Sequence, residues 1–189
     1  MSKISILTTL LAATLMFQAC SNDSKKEDTA TEANALLSTN EFVLTALDNK
    51  QYIVQKEGEG FKVKGADGKV IILDVFATWC PPCQAEASHL ASLQKKYPND
   101  LLILGITVEE NIPNSKLEDF RHQHDADYAL VNSSENSRII NEIAKKLKLG
   151  RDFGIPLMAM YKDGKLVNYY QGATEEEFIN SDIKKALNK

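Results

Sequence analysis

The sequence predicts an α/β sandwich with a mixed central sheet, and three features support this prediction. Residues 70–77 and 101–108 are almost continuously apolar, which is typical of strands that are buried on both faces. A helical pattern separates them, so the two strands should pair in parallel through a right-handed crossover. A late hairpin over residues 157–170, with an Asp-Gly turn, then adds antiparallel strands.

Composition and charge restrict the classes of function that the protein can have. The chain of 189 residues is 43% hydrophobic and 25% charged, which is ordinary for one globular domain. Its 22 Lys and Arg residues are outnumbered by 26 Asp and Glu residues, and the net charge is -4. Because no basic tract interrupts this balance, the surface expected of a phosphate-backbone binder is missing, and we expect no nucleic-acid partner.

The start of the chain has the outline of a secretory signal peptide. A lysine precedes an apolar stretch from Ile4 to Phe17, and Ala19 stands directly before Cys20. A membrane-spanning helix needs about 17 to 25 mostly apolar residues, whereas this stretch is shorter and is interrupted by threonines. We therefore predict that residues 1–19 are a signal peptide and not a permanent transmembrane helix.

Cys20 resembles the modified cysteine of a bacterial lipoprotein, which becomes the lipidated N-terminus. Ordinary cleavage nearby, with Cys20 lost or left as a free thiol, is the alternative. The polar run over residues 21–28 cannot bury a core, so we expect residues 20–38 to be a lipidated, flexible tether. The folded domain is then predicted over residues 39–189, on the extracytoplasmic (periplasmic) side of a membrane.

The predicted domain begins with a β-hairpin. Residues 41–47 partly alternate between apolar and polar side chains, Asp48 and Asn49 supply a turn, and residues 52–54 resume β-type residues. The glycines between residues 58 and 68 then indicate a loop-rich stretch that leads into the first long strand.

Helices and a short strand complete the pattern. Apolar residues at helical spacing predict three helices, over residues 82–97, 115–124 and 134–149. Gly150 is expected to end the third of them, and residues 128–131 are expected to form a short strand. Thr174 and Glu177 have the spacing of a capping box, which predicts a final helix.

Cys80 and Cys83 are the cysteines of the folded part if Cys20 carries lipid. A disulfide between cysteines at C-x-x-C spacing closes a loop that is too short to stabilise a whole domain. A bond between them therefore indicates a reactive role and not a structural one. They lie where a strand gives way to a helix, and the positive end of a helix lowers the pKa of a thiol at its N-terminus. Pro81 and Pro82 lack an N–H, so this stabilisation rests on the amide of Cys83 and the dipole. We predict that Cys80 faces solvent and attacks as the nucleophile, and that the shielded Cys83 resolves the mixed disulfide.

Other chemistries fit the cysteine pair less well. A structural zinc site needs four ligands, and no second C-x-x-C or nearby histidine pair supplies them. Glu86 and His89 follow Cys83 at three-residue spacing, but such a row drifts around a helix and does not converge on a metal. No His-Asp pair of protease type and no peroxiredoxin pattern accompanies Cys80. We therefore expect no metal site and no cofactor.

Residues 73–83 read Leu-Asp-Val-Phe-Ala-Thr-Trp-Cys-Pro-Pro-Cys and resemble the active-site segment of the thioredoxin superfamily. Gly154-Ile155-Pro156, followed by a strand, resembles its cis-proline loop. The leading hairpin, the export signal and the additional segment around residues 109–132 resemble the TlpA/ResA-like branch of membrane-tethered extracytoplasmic thiol-disulfide proteins. The resemblance covers residues 39–187. It implies a thioredoxin-like α/β sandwich with an N-terminal β-hairpin extension and a central insertion.

The resemblance implies substrate-binding roles for three residues. Trp79 would pack beside the disulfide and shape the docking surface. Pro156, if its peptide bond is cis, places the backbone of Ile155 beside Cys80, where it can hydrogen-bond an extended substrate chain.

The resemblance also implies catalytic roles for two carboxyl groups. Asp74 falls at the position of the buried carboxylate of thioredoxin, where it would exchange a proton with Cys83, and a satisfied polar strand residue is the alternative. Glu86 matches an acidic position of the ResA-like reductases and would tune the dithiol, and a solvated helix carboxylate is the alternative. Asp74 and Ile155 depart from those reductases and look more like thioredoxin itself. This departure argues against a dedicated cytochrome c partner.

The sequence therefore predicts a lipid-anchored, extracytoplasmic thiol-disulfide oxidoreductase. It would reduce disulfides of exported proteins, with apocytochrome c among the candidate substrates. The family implies that a membrane electron donor of the DsbD/CcdA kind regenerates the dithiol. A disulfide-introducing oxidant and a noncatalytic metal chaperone or redox adaptor are the alternatives, because direction depends on a reduction potential that sequence does not reveal. We expect a monomer.

Overall fold

The computed structural model of the protein describes residues 40–150 and 152–189. The predicted signal peptide, the lipidated Cys20 and the tether lie outside the described residues. The strands are β1 (Glu41–Thr45), β2 (Gln51–Glu57), β3 (Gly60–Val63), β4 (Val70–Phe76), β5 (Leu101–Thr107), β6 (Ala129–Val131), β7 (Leu157–Lys162) and β8 (Lys165–Gln171). The helices are α1 (Pro81–Lys96), α2 (Asn114–Gln123), α3 (Asn136–Lys146) and α4 (Glu176–Ala186). None of the helices in the described ranges is long and apolar enough to span a bilayer.

The central sheet of the described part has the strand order β6-β5-β4-β7-β8. β4 pairs in parallel with β5, and β5 with β6, whereas β7 is antiparallel to both β4 and β8. Every residue of β4 is buried, because its side chains are covered on both faces of the sheet. Residues 109–132, which were predicted to be an insertion, contain α2 and the edge strand β6. The predicted sandwich with a mixed sheet is confirmed.

The predicted N-terminal hairpin is present as β1 and β2, and β3 extends it to a three-stranded antiparallel sheet. β3 lies in the stretch that was predicted to be loop, so that part of the prediction is wrong. Phe61 and Val63 are buried in one hydrophobic cluster with the hairpin, which stabilises this short strand. Gly60 opens β3 because a Cβ atom there would clash with the carbonyl oxygen of Gly164 in the β7–β8 turn.

Alternate side chains of β4 enter two separate hydrophobic clusters. The odd-numbered residues of β4 pack with α3 and the N-terminal sheet. The even-numbered apolar residues pack with α1 and α4. Asp74 belongs to the even-numbered set, so its carboxyl group lies on the face of the sheet that α1 covers.

The predicted end of α3 is wrong. The helix ends at Lys146 and not at Leu149, the residue before Gly150, because Lys148 adopts a left-handed conformation with φ of 57°. The amide of Leu149 then donates to the carbonyl of Ala144 at 2.9 Å, which closes the helix in a Schellman arrangement. A lysine therefore takes the position that glycine commonly occupies.

The predicted capping box of the final helix is also wrong. α4 begins at Glu176 with Glu175 as its N-cap, and the cap side chain makes no hydrogen bond. Thr174 lies one residue farther out, where its hydroxyl donates to the carbonyl of Gly172 at 3.3 Å. Its amide donates to the carboxylate of Glu86 on α1, so a tertiary contact replaces the local cap.

One edge of the central sheet collects the loops that carry the site. The carboxyl ends of the parallel strands β4, β5 and β6 meet at this edge, and the antiparallel β7 begins there. Such an edge is where α/β sheets commonly bind ligands. The loop that follows β4 leads directly into α1 and carries the cysteine pair.

Candidate active site

Cys80 and Cys83 lie at the start of α1, shortly after the buried strand β4. Cys80 is the N-cap of the helix and has an extended backbone. The two sulfur atoms form a disulfide, with the Cα atoms 5.3 Å apart. The amide of Cys83 donates to Sγ of Cys80 at 3.4 Å, as expected for a helix that begins with two prolines.

The two cysteines are equally buried, since each is 3% exposed. The expectation that Cys80 faces solvent while Cys83 is shielded is therefore wrong for the disulfide form. The reason is that Sγ of Cys80 is covered on two sides. It accepts a hydrogen bond from the amide of Cys83 in the first turn of α1, and it lies 3.8 Å from the carbonyl oxygen of Ile155. Trp79, by contrast, is 65% exposed and offers an accessible apolar surface beside the pair.

The loop before β7 packs against the disulfide. The peptide bond between Ile155 and Pro156 is cis, which confirms the predicted geometry of this loop. The loop is tied to the end of β8, because the amide of Gly172 donates to the carbonyl of Pro156 at 2.9 Å. The structure thus brings Cys80, Ile155 and Pro156 together, as the resemblance implied.

Asp74 is buried on the α1 face of β4 and is 3% exposed. The hydroxyl of Tyr128 donates to its Oδ2 at 3.5 Å, while Oδ1 has no hydrogen-bond partner among the described residues. Burial raises the pKa of the Asp74 carboxyl well above its usual value, the charge of Glu86 raises it further, and the bond from Tyr128 opposes the rise. The alternative, a satisfied polar strand residue, does not fit a buried carboxyl oxygen without a partner.

Glu86 lies one helical turn after Cys83 and is 2% exposed. The alternative of a solvated helix carboxylate is therefore wrong. Its Oε1 accepts a 3.0 Å hydrogen bond from the amide of Thr174, in the loop between β8 and α4. Burial raises the pKa of Glu86 from 4.5 to about 7, and the bond from Thr174 limits this rise.

Asp74 and Glu86 together form a buried pair of carboxyl groups next to the first turns of α1. Asp74 comes from the strand and Glu86 from the helix that packs on it, and their like charges disfavour ionisation of both at once. Burial raises the pKa of both groups, that of Glu86 to about 7, so the pair can hold a proton at a pH where an exposed carboxyl group is ionised. That is the property required beside a buried thiol, which must lose its proton before it can attack.

Tyr128 is a member of the site that has no signature in its own part of the sequence. Its ring reaches Asp74 because Gly105, the residue of β5 that is paired with Asp74, has no side chain. A Cβ atom at Gly105 would lie 2.8 Å from the Cε2 atom of Tyr128. A glycine inside an otherwise apolar strand is the sequence signal for such a close approach.

Glu109 holds the loop that leads to Cys80, and it too has no local sequence signature. Its carboxylate accepts hydrogen bonds from the amide of Thr78 at 2.6 Å and from the hydroxyl of Thr78 at 3.0 Å. Gln84 of α1 donates to the carbonyl of Thr78 at 2.7 Å. Because Thr78 is held on both sides, the position of the adjacent Trp79 backbone is restrained.

The buried carboxyl of Glu86 should make stability depend on pH. Its folded-state pKa of about 7 lies above its ordinary value of 4.5, so the folded protein holds this proton more tightly than the unfolded chain. The stabilisation is fully present below the unfolded pKa and is lost as the pH rises through the folded pKa. Over this interval the oxidised protein should lose roughly 3 kcal/mol of stability from this group.

Glu86→Gln is expected to flatten this slope and to unfold at higher urea concentration than the wild type above neutral pH, because the amide does not ionise. Urea unfolding of the oxidised protein at a series of pH values measures the effect. Glu177→Gln, at an exposed position of α4, is the control and should keep the wild-type slope. Equal slopes for the wild type and Glu86→Gln contradict the prediction.

Comparison with known proteins identifies relatives of the chain. Residues 25–187 match the model of a protein family described as Redoxin. The thiol-disulfide oxidoreductase ResA of Bacillus thuringiensis subsp. konkukian (strain 97-27) is 25% identical over 138 residues, covering 70% of this chain and 72% of that protein. Thioredoxin-1 of Drosophila melanogaster is 41% identical over 49 residues, covering 26% of this chain and 46% of that protein. The match therefore spans less than half the length of the thioredoxin.

A solved structure has the same fold. It is described as a thiol:disulfide interchange protein, a thioredoxin family protein from Chlorobium tepidum TLS. It superposes with a TM-score of 0.61 and 20% sequence identity, covering 78% of this chain and 94% of that chain. At this identity the likeness concerns the fold alone, and it identifies the architecture as thioredoxin-like.

Proposed function

Because the chain belongs to the Redoxin family, we propose that it reduces disulfide bonds of exported proteins through the Cys80–Cys83 pair. The predicted membership of the TlpA/ResA-like branch of the thioredoxin superfamily is confirmed. The family and the ResA relatives support a thioredoxin-like thiol-disulfide oxidoreductase with a Cys-x-x-Cys pair. The reducing direction and the exported substrates belong to the proposal.

One observation carries the proposal: the disulfide lies at the N-terminus of α1 and against the cis-proline loop. In the reduced protein, the helix dipole and the amide of Cys83 stabilise a thiolate on Cys80. The backbone of Ile155 offers hydrogen bonds to an extended substrate chain, and the exposed Trp79 offers an apolar contact. A nucleophile, its resolving thiol and a docking surface are thus adjacent.

The first step is an exchange between a thiolate and a disulfide. The ionised Sγ of Cys80 attacks one sulfur of the substrate disulfide and forms a mixed disulfide with it. The bond between the two substrate sulfurs breaks, and the second substrate sulfur leaves as a thiolate. Ile155 and Pro156 hold the substrate backbone beside the reacting sulfur during this step.

The second step resolves the mixed disulfide. Cys83 transfers its thiol proton to the Asp74 and Glu86 pair and attacks Sγ of Cys80. The bond to the substrate breaks, and the remaining substrate sulfur leaves as a thiolate that takes up a proton. In total, two electrons pass from the protein to the substrate, and the two substrate thiolates take up two protons from solvent. These balance the proton that Cys80 released on ionising and the proton that Cys83 gave to the carboxyl pair. The Cys80–Cys83 disulfide of this structure is the product.

The cellular setting follows from the N-terminal segment. In this proposal, residues 1–19 are the export signal and Cys20 is the site of a lipid anchor, so that the enzyme works on the extracytoplasmic side of a membrane. A soluble NADPH-linked reductase does not meet an exported protein. A membrane electron donor of the DsbD/CcdA kind therefore returns the disulfide to the dithiol in this proposal.

The equilibrium reduction potential of the cysteine pair tests the direction of electron flow. Reference values range from about −270 mV for thioredoxin to about −120 mV for the oxidant DsbA. A value near the thioredoxin end is expected for a reductant. The protein is equilibrated in thiol-disulfide buffers and followed by the fluorescence of Trp79, its single tryptophan. A value near the DsbA end contradicts the proposal and favours the disulfide-introducing alternative.

The noncatalytic alternative has its own test. A metal chaperone or adaptor would bind metal in stoichiometric amount when Cys80 and Cys83 are reduced, and would not turn over a small disulfide substrate. Metal analysis of the reduced protein, together with a turnover assay, separates the two. Bound metal without turnover contradicts the proposed reductase.

A further inference from the structure

A polar cleft opens at the same edge of the sheet as the disulfide, beside the ends of β5 and β6. Its volume is about 570 Å³. One wall is the loop that follows β5, which carries Glu109 and Glu110. The other wall is the segment between β6 and the first turn of α3, which carries Asn132 and Asn136.

The cleft is rich in oxygen acceptors. No Lys, Arg or His occurs among the described residues that line it, whereas Glu109 and Glu110 contribute two carboxylates. Asn136 is 6% exposed, and its Nδ2 donates to the carbonyls of Thr107 and Val131 at 3.2 Å each. This leaves its Oδ1 without a partner among the described residues. Such a lining suits a ligand that donates hydrogen bonds and carries positive charge.

The N-terminus of α3 reaches the cleft but does not make it an anion site. The amide of Glu135 donates to the hydroxyl of Ser133 at 3.3 Å, and the amide of Asn136 donates to the carbonyl of Ser133 at 3.0 Å. Glu110 accepts a 3.1 Å hydrogen bond from the hydroxyl of Ser137, so a carboxylate already complements the helix dipole. An anionic ligand is therefore disfavoured, and a cationic one is favoured.

Glu109 connects the cleft to the reacting cysteine. The same carboxylate that lines the cleft holds the amide and hydroxyl of Thr78, just before Trp79 and Cys80. β4 and β6 are two strand spacings apart in the sheet, which is about 10 Å. An extended chain bridges that distance in about three residues.

We propose that this cleft binds a lysine or arginine side chain of the substrate polypeptide, about three residues from the cysteine that bonds to Cys80. The inference rests on the proposed function, since it assigns a substrate preference to the same exchange site. Glu110 meets the cationic group, because the carboxylate of Glu109 already accepts hydrogen bonds from Thr78 and Thr107. The Oδ1 of Asn136 is a buried acceptor in the lining, without a partner among the described residues. Glu109 links the cleft to the active-site loop. The same charges disfavour substrates with an acidic side chain at that place.

Matched peptides test the inference. They share one disulfide and differ only in carrying lysine, glutamine or glutamate three residues before or after the target cysteine. In one of the two series, before or after the cysteine, the variable residue lies on the side of the target cysteine that faces β6. In that series and at low salt, the reduced protein should reduce the lysine peptide about two- to fivefold faster than the glutamine peptide. The glutamate peptide should react more slowly than the glutamine peptide. High salt should bring the three rates together, because the charges are accessible to solvent.

Variants assign the preference to the cleft. Glu110→Gln should bring the ratio of lysine-peptide to glutamine-peptide rates closer to one. The ratio is compared because it cancels any general loss of activity in the variant. Glu59→Gln, at an exposed position in the turn between β2 and β3, is the matched control and should keep the wild-type ratio.

The outcomes separate this inference from the proposed function. Equal rates for the lysine and glutamine peptides at both placements overturn the inference and leave the reductase function intact. A lysine preference that is unchanged in Glu110→Gln also overturns it, because the cation is then bound elsewhere. Failure of the reduced protein to reduce any peptide overturns the proposed function itself.

Discussion

Cys83→Ser is expected to accumulate mixed disulfides between Cys80 and its substrates, whereas Cys80→Ser accumulates none. In Cys83→Ser the attack still takes place, but no thiol remains to resolve the product. In Cys80→Ser the remaining thiol lacks the N-cap position and the contact with Ile155 that favour attack by Cys80. The expected effect is all or none for the covalent complex, and turnover should fall to background in both variants.

Acid quenching, alkylation and nonreducing electrophoresis measure the complexes, and peptide mapping identifies the bonded cysteine. Both variants are made with Cys20→Ser, since Cys20 is the third cysteine of the chain and, wherever it is not lipidated, its thiol would trap substrates itself. The Cys20→Ser parent, with both active-site cysteines, is the control and should release its substrates. Equal trapping by the two variants contradicts the assignment of Cys80 as the nucleophile.

Loss of the buried carboxyl pair is expected to slow resolution far more than the first attack. Asp74→Asn keeps the size of the side chain but removes a proton acceptor for Cys83, and Glu86 remains to replace it in part. The double variant Asp74→Asn/Glu86→Gln should therefore show the larger loss, about 10² to 10⁴-fold in the rate of resolution. The first attack should change little, because Cys80 is stabilised by the helix start and not by the pair.

The pH profile distinguishes proton transfer from a structural effect. In the wild type, resolution should accelerate as the pair ionises, with an inflection near the Glu86 pKa of about 7. The double variant should lose this inflection. Stopped-flow fluorescence of Trp79 follows the reaction, and Asp67→Asn, at an exposed position, is the control. Wild-type resolution rates in the double variant across the same pH range would assign purely structural roles to Asp74 and Glu86.

Most of the fold could be predicted because its elements are encoded in short stretches of chain. The continuous apolar runs of β4 and β5 and the Asp163-Gly164 turn of the last hairpin need no distant partner to be recognised. Two of the three wrong predictions about these elements share one cause, which is contact with other parts of the chain. β3 is stabilised by packing against its neighbouring strands. Thr174 does not cap the final helix, and its amide donates instead to Glu86, which is 88 residues away in the sequence.

The residues of the site also fall into two sets, those that a local sequence pattern identifies and those that only the folded chain brings together. The C-x-x-C spacing, the helix that follows it and the Ile155-Pro156 loop are local patterns, so Cys80 and Cys83 could be named from the sequence. The burial of Glu86, the contact of Tyr128 with Asp74 across 54 residues and the hold of Glu109 on Thr78 across 31 residues arise only in the folded chain. The physical reason is that periodicity is a property of a few neighbouring residues. The desolvation that raises a carboxyl pKa depends instead on which distant segments exclude water from it.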